Sequence, residues 1–419
     1  MKTNITYGLV FGGGGAKGAY QLGAWKALEK MKIQIGAVVG ASIGSINGAL
    51  FAQGDLQTAQ KAWSRLNLRD VVVLEDDLRY PDNLFDIRNI NQVLRSIFLQ
   101  KGLDMEPIRE SLMKYIDEDA VRRSPVDMGV ISYDITNRKP VEIFKADMPE
   151  GTLYDYLMAS ACFPVFKSVE IDGQKFVDGG VYNNLPTDML AKKGYKHIIV
   201  IDIGGMGMIR SVNMQDLDII MVKPSTPLGG LFDMSHKVLE RSIRRGYLDT
   251  YRAFSRLTGN YYYLSVRSSA RFVKKYGQNT LDGLETAAQR YGIDPFRIYT
   301  PERLKQAVRK KFLEDSQKYV MLRMSTTNAQ LRSRLLGDHP RLRKMEKDYL
   351  IPAAVDILAE IDTSDRALAA LRRLMPSAIS AAEALVALGI RPVEVKQADG
   401  KSADGNPAFG NPLPGMAGK

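Results

Sequence analysis

Short apolar runs and helix-spaced apolar residues alternate along the first half of the chain. The runs predict buried strands at 6–11, 35–40, 126–134, 140–144, 175–178 and 197–203. Between them, apolar residues recur three and four positions apart, which predicts amphipathic helices at 16–31, 44–53, 56–66, 104–116, 153–162 and 187–193. This alternation is typical of an α/β fold in which helices cover both faces of a mainly parallel sheet.

Beyond residue 205 the pattern changes from strands to helices. One more strand, within DIIMVKP, and a long helix near 234–256 complete the first region. Residues 280–390 have helical periodicity with breaks expected at Pro301, Pro340, Pro352 and Pro376. The last segment is rich in glycine and proline. We therefore expect an α/β domain at 1–260, a helical C-terminal region at 261–391 and a disordered tail at 392–419, with the helical region serving as a lid, a membrane dock or an oligomer interface.

Composition narrows the class of protein. The chain has 419 residues, of which 45% are hydrophobic and 25% charged, as in ordinary globular proteins. It has no apolar run of the roughly 18 residues that span a bilayer, and its first residues lack the pattern of a signal peptide. Its single cysteine, Cys162, excludes an internal disulfide. We expect a cytoplasmic protein.

The net charge of +11 is unevenly distributed. Residues 301–350 hold 13 Lys and Arg residues against 6 Asp and Glu residues. Basic surfaces attract polyanions, such as nucleic acid or an anionic lipid surface. No nucleic-acid motif accompanies the segment. We expect either a solvated helical surface or a peripheral membrane contact, the latter aided by Phe312, Tyr319 and Tyr349.

A serine stands at the turn between a predicted strand and a predicted helix. Gly40 and Gly44 flank Ser42 in the sequence GASIG, whereas Ser45 lacks such neighbours. Glycines at these positions relieve crowding in a sharp turn that exposes the hydroxyl at a helix N-terminus. The motif predicts a nucleophile, although a purely structural turn would use the same residues.

A glycine run follows the first strand. Residues 12–18 read GGGGAKG, so Gly13, Gly15 and Gly18 fit the spacing of a dinucleotide-binding loop. That fingerprint requires an acidic residue about 20 positions later, where this chain has the apolar stretch 38–41. We favour an oxyanion hole, in which backbone N–H groups hold the charge created when Ser42 attacks an ester.

An attacking serine needs a proton acceptor. The chain has three histidines, none within a motif: His197, His236 and His339. Asp178 is the better candidate, because it ends a predicted strand and precedes Gly179 and Gly180, which permit a sharp turn. Its pKa must be raised by desolvation for it to act as a base near neutral pH. Asp202 and Asp134, at the ends of other strands, are weaker rivals.

These three motifs together resemble those of the patatin-like phospholipases, over about residues 5–260. The run MASACFPVFKSVEIDGQKFVDGG also resembles that family's approach to its aspartate. The resemblance implies a patatin-like three-layer α/β/α domain that uses a Ser-Asp dyad without histidine. It implies these roles: nucleophile Ser42, base Asp178, oxyanion hole Gly13, Gly14 and Gly15, and motif support from Lys17, Gly18, Gly40, Gly44, Gly179 and Gly180.

The resemblance also implies an activity. A patatin-like phospholipase A or lysophospholipase cleaves carboxylic esters of lipids through an acyl-serine intermediate, without a metal or cofactor. Apolar residues near the motifs are candidates for an acyl groove: Leu22, Trp25, Phe163 and Phe166. A soluble esterase or thioesterase and a catalytically quiet regulatory or binding protein remain open, as does homo-oligomerisation.

Overall fold

The structure, a computed structural model, describes residues 5–72, 102–211, 215–324, 346–360 and 366–391. The predicted tail, His339 and Pro340 lie outside these residues. The strands of the first region are β1 (Thr6–Phe11), β2 (Gln34–Ala41), β3 (Asp127–Asp134), β4 (Lys139–Phe144), β5 (Val169–Ile171), β6 (Gln174–Asp178), β7 (His197–Ile201) and β8 (Asp218–Val222). Its helices are α1 (Ala19–Lys30), α2 (Ile43–Gln53), α3 (Leu56–Arg65), α4 (Glu106–Tyr115), α5 (Glu118–Arg123), α6 (Leu153–Ala161), α7 (Gly180–Asn183), α8 (Thr187–Lys192) and α9 (His236–Ala253), with 3-10 turns at Gly15–Gly18 and Leu68–Asp70.

These strands form one sheet in the order β5-β6-β3-β2-β1-β7-β8, with β4 also paired to β3. Strands β1, β2, β3, β7 and β8 run parallel to their neighbours in this series. Strands β4 and β6 run antiparallel to β3, and β5 runs antiparallel to β6. The expected mainly parallel sheet is confirmed, and the antiparallel end is an addition that periodicity did not predict.

Both faces of the sheet are buried. Leu9 and Phe11 of β1 pack into the larger core cluster on one face, whereas Val10 packs with Met189 and Leu190 of α8 on the other. Successive side chains of a strand point to opposite faces, so the buried residues 8–11 of this central strand carry no polar side chain. The arrangement is the expected three-layer α/β/α domain. Among the described helices, none has the length and apolar character needed to cross a bilayer.

The register of β3 positions two strand ends next to each other. Strand β4 pairs along 129–134, which occupies one side of β3. The other side is shared: β2 pairs with 127–131 and β6 with 132–134. Ala41 pairs with Ile131 and Asp178 with Ser132, so the C-terminal ends of β2 and β6 meet head to head.

The C-terminal region has a core of its own. Its described elements are β9 (Leu257–Thr258), β10 (Tyr263–Ser265), α10 (Val266–Tyr276), α11 (Gln278–Arg290), β11 (Ile298–Tyr299), α12 (Pro301–Met324), α13 (Glu346–Glu360), α14 (Arg366–Leu374) and α15 (Pro376–Ala387). Pro301 and Pro376 begin helices, but Pro352 lies inside α13 and does not end it. Strands β9 to β11 form a small sheet that the sequence pattern did not predict.

The basic segment packs differently from the expectation for a lipid contact. Phe312 is fully buried in the C-terminal core, and Tyr319 is also buried. These two aromatic side chains therefore cannot reach a membrane from the folded protein, which corrects their expected role. The part of the segment at 325–345 lies outside the described residues.

Candidate active site

Ser42 occupies a strained turn between β2 and α2. Its backbone has φ 54° and ψ −131°, outside the regions that non-glycine residues normally adopt. A Cβ atom on Gly40 would lie 2.2 Å from the backbone of Gly44, and one on Gly44 would lie 2.1 Å from the carbonyl oxygen of Phe11. The flanking glycines are therefore required by close backbone approach. The predicted serine elbow is present.

Ser160, at the end of α6, ties the elbow to the loop that carries Asp178. The Ser42 N–H donates a hydrogen bond to Ser160 Oγ at 3.0 Å. The Ser160 carbonyl accepts the N–H of Gly179 at 3.3 Å. Ser160 is fully buried. Sequence reasoning missed it, and the only local signal was its place in the small-residue run MASACFP.

Asp178 lies beside the elbow because β6 ends where β2 ends. Its carboxylate is buried and accepts the Gly180 N–H at 2.7 Å. Desolvation raises the pKa of Asp178 to about 6, and hydrogen bonds from the Ser42 side chain and the Gly180 N–H oppose that rise. The raised pKa agrees with the expectation from the sequence, and at neutral pH the carboxylate is ionised beside the Ser42 hydroxyl.

Two N–H groups of the glycine loop have no hydrogen-bond acceptor within the described residues. Gly13 does not contribute one, because its N–H donates to Asn184 Oδ1 at 3.1 Å and its carbonyl accepts Asn184 Nδ2 at 3.3 Å. The N–H groups of Gly14 and Gly15 find no acceptor in the described part of the chain. Of the three expected donors, Gly14 and Gly15 are available for an oxyanion, whereas Gly13 is the point at which Asn184 anchors the loop.

The remaining motif residues act through packing and loop contacts. Lys17 Nζ donates to the carbonyl of Gly204 at 2.8 Å and so connects the glycine loop to the segment after β7. A Cβ on Gly18 would lie 2.6 Å from Ile43 of α2, and one on Gly179 would lie 2.2 Å from the carbonyl of Ile131. Gly18 therefore lets the glycine loop approach α2, and Gly179 lets the Asp-Gly-Gly turn approach β3.

The rival proton acceptors have other partners. His197 contacts Asp218 at 3.0 Å, at the sheet edge opposite the site. Asp202 accepts the Gly204 N–H at 2.9 Å and pairs with Lys223 at 3.4 Å. Asp134 accepts backbone N–H groups of the turn that follows it. Within the described residues, no group of three or more His, Cys, Asp or Glu side chains could hold a metal ion.

Ser42 and Asp178 line a cavity of about 330 Å³. Its wall is mostly apolar and includes Ile46, Leu50, Trp63, Leu112, Phe163 and Phe166. Phe163 and Phe166 thus lie where an acyl groove was expected. Leu22 and Trp25 do not line this cavity. The Trp25 ring packs against Phe51 with 5.0 Å between ring centroids, in the core beneath the site.

The sequence was also compared with known proteins. Its residues 9–191 match the family model of the patatin-like phospholipases. Over 210 residues it is 31% identical to patatin-like phospholipase domain-containing protein 6 of Mus musculus, a match that covers 48% of this chain and 14% of that protein. Over 220 residues it is 26% identical to lysophospholipase NTE1 of Candida albicans, covering 51% of this chain and 14% of that protein.

This chain therefore spans only a small part of the length of those relatives. Among solved structures, VipD from Legionella pneumophila aligns over 96% of this chain and 93% of its own, with 13% identity and a TM-score of 0.40. The family match covers the glycine loop, the serine elbow and the Asp-Gly-Gly turn whose geometry is described above. Residues 9–191 of this chain are thus similar to the patatin-like phospholipase domain.

Proposed function

We propose that the protein hydrolyses carboxylic esters of phospholipids or lysophospholipids through an acyl-Ser42 intermediate. One observation carries the proposal: the Ser42 hydroxyl, on its strained elbow, interacts with a buried carboxylate whose pKa is raised to about 6, in the wall of an apolar cavity. A nucleophile, a base matched to neutral pH and a site for an acyl chain are the parts that ester cleavage requires.

In the first half of the reaction Asp178 takes the proton of the Ser42 hydroxyl. The Ser42 oxygen attacks the ester carbonyl, and the charge on the carbonyl oxygen is held by the N–H groups of Gly14 and Gly15. One such donor is typically worth roughly 3 kcal/mol of transition-state stabilisation. Collapse of the tetrahedral intermediate breaks the ester C–O bond, and Asp178 returns the proton to the leaving alcohol.

In the second half Asp178 accepts a proton from water. The resulting hydroxide attacks the acyl-Ser42 carbonyl, and the same two N–H groups hold the oxyanion. Breaking the acyl–oxygen bond releases the fatty acid while Ser42 regains its proton from Asp178. The chain needs only one base, because each proton that Asp178 accepts is returned within the same half-reaction.

The lipid part of the proposal rests on the cavity. Its wall of aliphatic and aromatic side chains suits an acyl chain better than a polar substrate. The name of the Candida albicans relative states lysophospholipase activity for that protein. Since this chain matches a small part of that relative, lipid hydrolysis remains a proposal for this chain.

Mass spectrometry of mixed phospholipid and lysophospholipid vesicles tests it. Wild-type protein is expected to release free fatty acid, and Ser42→Ala is expected to release none above background. Ser64→Ala is the matched control, since Ser64 is an exposed serine on α3 and should not affect turnover. Fatty-acid release by Ser42→Ala would refute the proposal. So would turnover of short soluble esters alone, which would favour a soluble esterase.

A further inference from the structure

The loop that follows β7 exposes a group of apolar side chains. Met206 is 66% exposed, Met208 59% and Ile209 62%. Val181, 43% exposed on the neighbouring turn of α7, extends the group. Single exposed apolar residues are common, but several together on one surface usually mark an interaction site. We call residues 206–209 the rim loop.

Backbone hydrogen bonds hold the rim loop against the Asp-Gly-Gly turn. Met208 N–H donates to the Gly180 carbonyl at 2.9 Å, and the Asn184 N–H donates to the Met208 carbonyl at 2.6 Å. Beyond the loop, the Arg210 guanidinium lies 4.3 Å from the centre of the Tyr182 ring. The apolar side chains are thus presented outward from an anchored backbone.

The rim loop also adjoins the cavity. Met206 is part of the wall that includes Ser42 and Asp178. Asn184 donates its backbone N–H to the Met208 carbonyl, and its side chain accepts the N–H of Gly13 in the glycine loop. A surface that covers the rim loop would therefore lie next to the cavity wall that includes Ser42 and Asp178.

We propose that the rim loop inserts into the surface of lipid aggregates and so positions the cavity opening on its substrate. This proposal rests on the proposed function, because a lipid hydrolase must draw its ester out of an aggregate. Apolar side chains with a neighbouring cation suit the boundary between acyl chains and anionic head groups. Arg210 is exposed beside the loop, and the net charge of the chain is +11.

Vesicle flotation tests the proposal independently of catalysis. The protein carries Ser42→Ala throughout, so that lipid is not consumed, and the vesicles contain phosphatidylcholine and phosphatidylglycerol. The double variant Met208→Ser/Ile209→Ser is expected to bind the vesicles at least about tenfold more weakly than its parent. The reason is that two apolar side chains are no longer there to be transferred from water into the lipid. Neither residue lines the cavity.

A matched control variant changes exposed apolar residues elsewhere. Met113 is 62% exposed and Leu374 is 69% exposed, so Met113→Ser/Leu374→Ser removes similar apolar surface away from the rim loop. This control is expected to float like the parent protein. Ile209→Trp supplies a second measurement, since Trp25 and Trp63 are buried. Its added emission should shift to the blue and become shielded from acrylamide when vesicles are present.

Three outcomes would overturn the proposal. The first is flotation of the rim-loop variant equal to that of its parent, and the second is an equal loss in the Met113/Leu374 control. The third is a dimer in light scattering that the rim-loop substitutions dissociate, which would make this surface a protein interface. Failure of the proposed function can be distinguished from failure of this proposal. In that case the protein that retains Ser42 would release no fatty acid, whether or not it floats with vesicles.

Discussion

At the scale of single residues, the proposed reaction depends on the buried carboxylate of Asp178. An aspartate in water is too weak a base to accept a serine proton efficiently at neutral pH. Burial at the end of β6 removes water from the carboxylate and raises its pKa to about 6. Ser42 and the Gly180 N–H keep that rise moderate, so that the group is still ionised at pH 7.

This pKa predicts the pH dependence of the reaction. Only ionised Asp178 can accept a proton, so kcat/KM for a soluble short-chain ester should be level above about pH 7. Below pH 6 it should fall about tenfold per pH unit, as expected for one essential base in the free enzyme. Stopped-flow or plate assays from pH 4.5 to 8.5 would measure the profile. A rate that stays level down to pH 4.5 would exclude Asp178 as the base.

The same residue should lower the stability of the fold. Its pKa is higher in the folded state than its ordinary value of 3.8, so the folded protein binds more protons between pH 4 and 6 and loses stability as the pH rises through that range. Above pH 6 the full cost applies, up to about 3 kcal/mol for the rise from 3.8 to about 6.

Asp178→Asn is therefore expected to raise the free energy of unfolding at pH 8 while abolishing activity, with the gain shrinking toward pH 4. Urea unfolding at both pH values measures it. Asp119→Asn is the control, because the Asp119 side chain is 79% exposed and should change stability little. An equal gain at pH 4 and pH 8 would show that the carboxylate charge is not the cause.

At the scale of elements, the site depends on how three loops are joined. The glycine loop, the elbow and the Asp-Gly-Gly turn all carry motifs that can be read from the sequence. Ser160 and Asn184 connect them through hydrogen bonds that span 118 and 171 positions of the chain. No local pattern encodes such partners, so the sequence predicted the motifs that meet at this site but not the residues that hold them together.

The strands likewise include some that the sequence predicted and others that it did not. Strands β1 to β4 and β6 to β8 lie where apolar runs predicted them, because a buried strand needs such a run. The three residues of β5 and the two or three of β9 to β11 are too short for a period to appear. The direction of β6 also escaped prediction, since pairing partners are chosen by the whole fold.

Ser160→Ala tests the role of the connection between α6 and the elbow. It leaves the N–H of the half-buried Ser42 without its acceptor, which should cost about 1–3 kcal/mol of stability. Because the elbow also loses an anchor, kcat and the rate of labelling by a fluorophosphonate should fall more than KM rises. Ser269→Ala is the matched control, as the buried Ser269 hydroxyl has no hydrogen-bond partner in the described part of the chain. If Ser160→Ala only destabilises and labels at the normal rate, Ser160 has no positioning role.

At the scale of the whole molecule, α9 connects the α/β domain to the C-terminal region. It crosses α1 at two glycines: a Cβ on Gly23 would lie 1.9 Å from the Ile243 carbonyl, and one on Gly246 would lie 1.9 Å from the Tyr20 carbonyl. Beyond this crossing, Asp249 of α9 accepts the hydroxyls of Tyr20 on α1 and Tyr263 on β10, each at 2.9 Å. One buried carboxylate thus links elements of both regions.

The linkage predicts that a change in the C-terminal region weakens the whole protein. Burial raises the pKa of Asp249, so its charge depends on these hydroxyls and on Arg252 for stabilisation. Tyr263→Phe removes one donor and should lower the free energy of unfolding by about 1.5–3 kcal/mol, the range for hydrogen bonds to charged groups. Tyr261→Phe, at a half-exposed neighbour, should change it little.

The double variant Tyr20→Phe/Tyr263→Phe should lose a different amount of stability from the sum of the single losses, because both donors serve the same carboxylate. Urea titration followed by circular dichroism measures all three variants, and strictly additive losses would show that Asp249 does not couple the two regions.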